Sequence, residues 1–244
     1  MDVIAGYTLY IDLIRPLIQG KRIISSAMTQ EVDRVEAAIA ESMSGHSCAI
    51  VSSGDPGIYA MAGLALEVCA VRQIPVFQRT SSEIPDDIRS AQMIVPSLEI
   101  EIVPGIPAVC AGASLLGAPL THDFACISLS DLLTPWETIE KRLDAAAVSD
   151  FVIVLYNPKS NRRSTQLEKA QKIILRHRDG TIPVGIVTNA LRGKDSTVTL
   201  TTLEHLHLEP VTMLTTVFIG NCSTFNYNGW MITPRGYSKK YDIR

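Results

Sequence analysis

Short apolar runs in this chain repeatedly stop at clusters of glycine, proline or asparagine, and that pattern limits the folds the chain can adopt. Residues 48–51 run into Ser52-Ser53-Gly54-Asp55-Pro56-Gly57, and residues 100–103 into Pro104-Gly105-Ile106-Pro107. Residues 151–156 end at Asn157-Pro158, and the run from Pro183 ends at Asn189-Ala190. Apolar runs without alternation suit strands buried on both faces, as in a parallel sheet covered by helices. The segments between them carry helical spacing. Residues 29–44 place Val32, Val35, Ala38 and Ile39 on one face, and Ser44-Gly45 stops the helix.

The remaining elements follow the same logic. Strands are expected at 2–5, 22–25, 48–52 and 100–103, and helices at 58–71 and 107–116. After Gly117-Ala118-Pro119 the character changes. A strand at 124–129, a helix opened by Pro135 and running to about residue 147, a strand at 151–156 and a helix at 166–177 are followed by mostly strand. Those later strands are expected at 183–189, 197–201, 215–219 and 230–233. Val198, Leu200 and Thr202 alternate with threonines, as in an antiparallel strand. The expected fold is therefore a two-domain α/β protein, with a parallel-sheet domain over 1–118 and a mixed-sheet domain over 119–244. Between Arg72 and Leu98 the pattern breaks, and the polar, turn-rich stretch 78–87 reads as a surface excursion.

Composition excludes several classes. The chain of 244 residues is 46% hydrophobic, enough for one large core or two smaller ones, and its net charge of −3 offers no basic footprint for nucleic acid. No apolar run is long enough to span a membrane, and residues 1–10 do not read as a signal peptide. The five cysteines are widely spaced with no C-x-x-C pair. They read as reduced, buried thiols of a cytosolic protein rather than zinc ligands, and no metal site is expected.

Residues at the carboxyl ends of parallel strands face the usual ligand crevice of an α/β sheet. Glycine there lets a ligand approach backbone N–H and C=O groups, and Asp55 is placed to accept from a ribose or to neutralise a cation. There is no G-x-G-x-x-G, no P-loop and no G-x-S-x-G elbow. His122-Asp123 reads either as a functional pair or as junction hydrogen bonding, and Asp131 or Thr134 as a helix cap. Lys159, Arg162 and Arg163 read either as clamps for a polycarboxylate or as a solvated helix start.

The stretches SSGDPGIYAMAG, VPGIPA, GAPLTHDFACISLSDLLTPW, LYNPKS and GWMITPRGY together resemble the class III tetrapyrrole methyltransferases. Within that family the chain resembles the precorrin-3B C-17-methyltransferases of cobalamin synthesis. SDLLTPW and TPRGY lean toward the cobalt-factor III branch. The resemblance implies a homodimer of two-domain subunits, with S-adenosylmethionine folded into a cleft between the domains. Carried onto this chain, it implies cofactor contacts from Ser53, Gly54, Asp55, Ile58, Pro107, Ala108, Asn157 and Ala190. It implies methylation at C-17 of a precorrin-3-type ring, with contraction of the macrocycle.

Methyl transfer from a sulfonium to carbon is a direct displacement that needs alignment and exclusion of water. Ring contraction adds proton transfers, for which His122, Ser130 and Asp131 are the candidate acid/base residues. Lys159, Arg162 and Arg163 would hold the acetate and propionate arms. The family pattern also has a strand, a glycine-rich loop and a helix ahead of the segment matching residues 2–7; by that resemblance the first strand and loop are missing here, and the strand would lie inside the sheet. The alternatives are methylation at another tetrapyrrole carbon, or a catalytically inactive cofactor-binding protein. The related diphthine synthases and ribosomal RNA 2′-O-methyltransferases fit less well, given the acidic balance and SDLLTPW.

Overall fold

The computed structural model describes residues 1–78, 97–160 and 162–242. The chain divides into two compact units, Met1–Pro107 and Ala108–Arg244. The expected excursion over 78–87 lies, beyond Gln78, outside the described residues.

In the first unit, β1 (Val3–Tyr7) is the centre of a parallel sheet of order β2-β1-β3, with β2 at Arg22–Ser26 and β3 at Cys48–Val51. Val3 pairs with Arg22 on one side and Cys48 on the other. The first four residues of β1 are buried, as its unbroken VIAG run requires. Helix α1 (Thr8–Ile14), which the sequence pattern did not reveal, buries Ile11 against Ile4 and Ile18. It is short, with no side-chain cap and no acidic residue in its first turn, so it lacks the usual start signals. Helix α2 (Glu31–Met43) buries Val35 and Ala38 together with Arg34. Arg34 is tolerated there because its guanidinium donates to Ser26 Oγ (2.9 Å) and the Ala27 carbonyl (3.1 Å). Helix α3 spans Met61–Val71.

A separate parallel pair joins β4 (Val76–Gln78) to β5 (Leu98–Ile100). The strand expected at 100–103 is thus shifted to Leu98–Ile100, and among the described residues no ladder pairing follows Gln78↔Ile100. Among the described residues β3 and β5 each pair on one side only. A cavity of about 570 Å³ lies along both edges, lined by Cys48, Ala49 and Ile50 of β3, by Leu98 and Ile100 of β5, and by α2 and α3.

The second unit is built on a five-stranded sheet of order β10-β9-β11-β8-β7. Its strands are β7 (Phe124–Ser128), β8 (Val152–Tyr156), β9 (Pro183–Thr188), β10 (Thr197–Thr202) and β11 (Thr215–Ile219). β7 and β8 are parallel, whereas β11 runs antiparallel to β8 and β9, and β10 antiparallel to β9. One face is covered by α5 (Trp136–Val148) and α6 (Gln166–Ile174), which bury Ile139, Leu143, Ala170 and Ile174 against Ile153 and Leu155. The other face is covered by α4 (Ala108–Leu116), with Met231 of β13 (Trp230–Ile232) completing the cluster. β13 pairs with β6 (Gly117–Ala118) and with β12 (Phe225–Tyr227), and α7 (Tyr237–Lys240) lies near the C-terminus.

The unit boundary falls before α4, not after it at 118/119 as expected. The reason is packing. A Cβ on Gly112 would stand 2.7 Å from the Phe218 ring, and one on Gly185 would stand 2.5 Å from Leu116, so the helix lies almost on the sheet. Cysteine burial also departs from expectation. Cys69 is buried, but Cys110 and Cys222 are exposed. Among the described residues no helix is long and apolar enough to cross a membrane, and no group of three metal-ligating side chains is assembled.

Candidate functional site

In the first unit, the two glycine-rich loops expected to receive a ligand are tied to each other by Asp55. Its Oδ1 accepts the N–H of Gly57 (2.8 Å), two residues on, and its Oδ2 accepts the N–H of Gly105 (3.0 Å), fifty residues on. Each bond has an ionised acceptor, which makes it stronger than a neutral one. Of the roles the sequence suggests for Asp55, contact with a polar group of a ligand or holding of its loop, these two bonds supply the second. The fit is close. A Cβ on Gly105 would sit 2.1 Å from the Gly54 carbonyl oxygen, so only glycine lets the two backbones meet. Gly54 itself has φ +78, a conformation side chains resist. Around the clamp Ile58, Tyr59, Val103 and Ile106 are exposed. Ser53 and Pro107 are half-buried.

In the second unit, strand direction decides which residues meet. β7, β8 and β9 run the same way, so their carboxyl ends share one edge of the sheet. That edge gathers Ser128–Asp131, Tyr156-Asn157 and Thr188–Ala190. Asn157 has φ +52, and its Nδ2 donates to Ser128 Oγ (2.9 Å), which also accepts the N–H of Ser130 (3.2 Å). The Tyr156 hydroxyl accepts the N–H of Val109 (2.8 Å). That N–H belongs to the first turn of α4, where the helix itself supplies no acceptor. The phenol therefore joins the start of α4, with Ala108, to the Asn157 turn. Ala190 lies half-buried beyond β9, packed with Val187 and Phe218.

The same edge holds the expected cations unequally. Arg163 is half-buried, donates through Nη1 to Ser130 Oγ (3.2 Å), and closes its own turn by donating its N–H to Ser160 Oγ (3.1 Å). Its Nε is buried with no hydrogen-bond partner among the described residues. Lys159 and Arg162 are exposed. Asp131 accepts from Gln166 Nε2 (2.9 Å) at the start of α6. It therefore braces the neighbouring loop instead of capping α5, which begins after Pro135.

His122 does not join Ser130 and Asp131. It precedes β7, whereas they follow it, and a strand rises about 3.3 Å per residue. The full length of the strand separates them. His122 accepts the N–H of its neighbour Asp123 at Nδ1 (2.9 Å) and lines a cavity of about 520 Å³ with Asp150, Cys222 and Arg235. This edge is organised structurally. Buried Arg178 donates to the carbonyls of Gly220 (2.7 Å), Ala146 (3.1 Å) and Phe151, and its burial lowers the guanidinium pKa. Asp150 accepts the N–H (2.9 Å) and the thiol (2.7 Å) of Cys222, which pushes that thiol's pKa up. Of the three acid/base candidates, only Ser130 and Asp131 share the loop edge.

Sequence reasoning gave no role to Ser128 or Tyr156. The available signal was a polar residue closing an otherwise apolar strand, in ISLS and LYNP.

Comparison with known proteins identifies the family. Residues 86–207 match the family model of the tetrapyrrole (corrin/porphyrin) methylases. Cobalt-factor III methyltransferase of Priestia megaterium is 45% identical over 99% of this chain, which spans 41% of that longer protein. A protein of Salmonella typhimurium named as a probable cobalt-factor III C(17)-methyltransferase is 42% identical over 97% of this chain and 89% of its own length. The crystal structure of the methyltransferase CobJ superposes with a TM-score of 0.81 at 31% identity, covering 96% of this chain and 88% of that one. At the level of fold alone, uroporphyrin-III C-methyltransferase from Thermus thermophilus, solved with S-adenosylhomocysteine, superposes at 18% identity with a TM-score of 0.60, covering 90% of this chain and 85% of that one. With nearly its whole length matched by three of these enzymes at 31–45% identity, the chain belongs to the tetrapyrrole methylase family.

Proposed function

We propose that this protein methylates C-17 of a cobalt-factor III type tetrapyrrole in cobalamin biosynthesis, with S-adenosylmethionine as donor and contraction of the ring. The observation that carries the reading is the match to the Salmonella typhimurium protein over nearly the whole of both chains. A homodimer, as the family resemblance implies, and a cytoplasmic location, as the widely spaced cysteines suggest, accompany this reading.

The residues fit such a donor. Gly54 and Gly105 leave no Cβ where their two loops meet, and Asp55 ties both loops together at the backbone. Ser53, Gly54, Asp55, Ile58, Pro107, Ala108, Asn157 and Ala190 would hold S-adenosylmethionine, largely through main-chain groups. When bound, it supplies an electrophilic methyl group. The protein's work is then to fix the donor and the ring carbon in line and to keep water out. Asp55 does this indirectly, by setting the loops. Ser130 and Asp131 are the groups available to move protons at the ring. Lys159, Arg162 and Arg163 meet carboxylate arms, Arg163 with its guanidinium already oriented by Ser130.

The test has two readings from one preparation: calorimetric titration with S-adenosylhomocysteine, and anaerobic turnover of cobalt-factor III with S-adenosylmethionine. Micromolar product binding and a ring carrying one added methyl at C-17 are expected. A folded protein that binds neither S-adenosylhomocysteine nor the ring refutes the reading, and methylation at another carbon would reassign the position.

A further inference from the structure

The loop between β7 and α5 is anchored at both ends and apolar at its tip. On the near side Leu129 is fully buried and donates its N–H to the Tyr156 carbonyl (2.9 Å), Ser130 is bound by Arg163, and Asp131 by Gln166. On the far side Trp136 packs against the core beneath α5, with Lys169 Nζ 5.4 Å from its ring centroid. Between these anchors Leu132 and Leu133 are 72% and 94% exposed. A well-tethered loop that holds two adjacent leucines in water is poised for an apolar surface that covers them, and it has little ordering entropy left to lose on binding.

Charge identifies the occupant. The neighbouring β8–α6 loop, laced to this one by the Arg163–Ser130 and Gln166–Asp131 bonds, carries exposed Lys159 and Arg162. A ligand that covers the leucines while meeting these cations must be apolar across its face and anionic at its rim. A tetrapyrrole macrocycle edged with acetate and propionate arms has that chemistry. We propose that Leu132 and Leu133 form the platform for one face of the tetrapyrrole ring, with Lys159 and Arg162 meeting its peripheral carboxylates. This deepens the substrate reading above and rests on it.

The test is binding, which requires no turnover. Cobalt-factor III is titrated anaerobically, followed by its Soret absorbance, into the wild-type protein, into a Leu132→Ser/Leu133→Ser double variant and into a Leu132→Met/Leu133→Met double variant. S-adenosylhomocysteine affinity and sedimentation velocity are measured on all three. The serine variant is expected to bind the ring about 10-fold or more weakly, and the methionine variant within about 3-fold of wild type, since methionine keeps the apolar area. S-adenosylhomocysteine affinity should be the same in all three. A serine variant that binds the ring as wild type does overturns the platform. So does a serine variant that changes oligomeric state, which would assign the leucines to contact between copies. A wild-type protein that binds S-adenosylhomocysteine but not the ring overturns the substrate reading and the platform with it.

Discussion

The two strand-end clusters of this protein do the same job with different chemistry. In the first unit a single carboxylate, Asp55, holds two loops fifty residues apart by accepting one backbone N–H from each. In the second unit neutral groups serve: the Tyr156 phenol takes the Val109 N–H, and the Ser128 hydroxyl takes the Asn157 amide and the Ser130 N–H. The carboxylate sits among exposed loop residues, with Gly54 and Gly105 in close backbone approach beside it. The hydroxyls sit at the end of a well-buried sheet, where an uncompensated charge would be costly. The difference teaches that the first cluster is joined by a charged clamp at the surface, whereas the second is supported by the core beneath it.

The largest effect should come from the carboxylate. Asp55→Ala removes two charge-assisted bonds, each worth roughly 1.5–3 kcal/mol, and should weaken S-adenosylhomocysteine binding by about 100-fold or more. Calorimetry measures this, and an effect below about 5-fold would break the claim that the Asp55 clamp joins the first cluster. Tyr156→Phe deletes one neutral bond and leaves the ring packed. The expected loss is about 1 kcal/mol, or about 5-fold in affinity, seen as a raised KM for S-adenosylmethionine with kcat nearly unchanged. An equal loss in the two variants would erase the contrast between a charged and a neutral clamp. The smallest effect belongs to the opposite edge of the second sheet. Asp150 raises the Cys222 thiol pKa, so the thiolate fraction at neutral pH falls and alkylation by iodoacetamide should be slow despite exposure. Asp150→Asn should speed alkylation and shift its rise with pH to lower values, with no change in cofactor affinity. Mass spectrometry of the modified peptide follows the first, and calorimetry the second.

Much of the fold was legible because its signals are local. Helix α2 was readable from Val32, Val35, Ala38 and Ile39 and from its stop at Ser44-Gly45, and the structure ends it at Met43. β8 was readable from an apolar run that no amphipathic helix would carry, and β10 from its alternating threonines, paired antiparallel with β9. The shift of the strand near 100, the appearance of β4 and the placement of α4 in the second unit were not legible. Each depends on a partner distant in sequence: Gln78 for Ile100, Phe218 for Gly112, Leu116 for Gly185.

The candidate site divides in the same way. That glycine, asparagine and a carboxylate cluster after apolar strands was visible in the residues alone, and so was the likeness to tetrapyrrole methyltransferases, because turn chemistry and motif spacing are properties of contiguous segments. What Asp55 does with its two oxygens required Gly105 to be brought beside it. That His122 is parted from Ser130 and Asp131 required the direction of β7, and the binding of Arg163 to Ser130 required β7 and β8 to be neighbours in register, with Ser128 opposite Tyr156. Hydrogen bonds act over about 3 Å, and no local pattern specifies which residues remote in sequence will come that close. The sequence by itself determined the locally patterned elements, the loops and the family likeness; only the tertiary structure decided which side chains hold the backbone and which are left to meet a ligand.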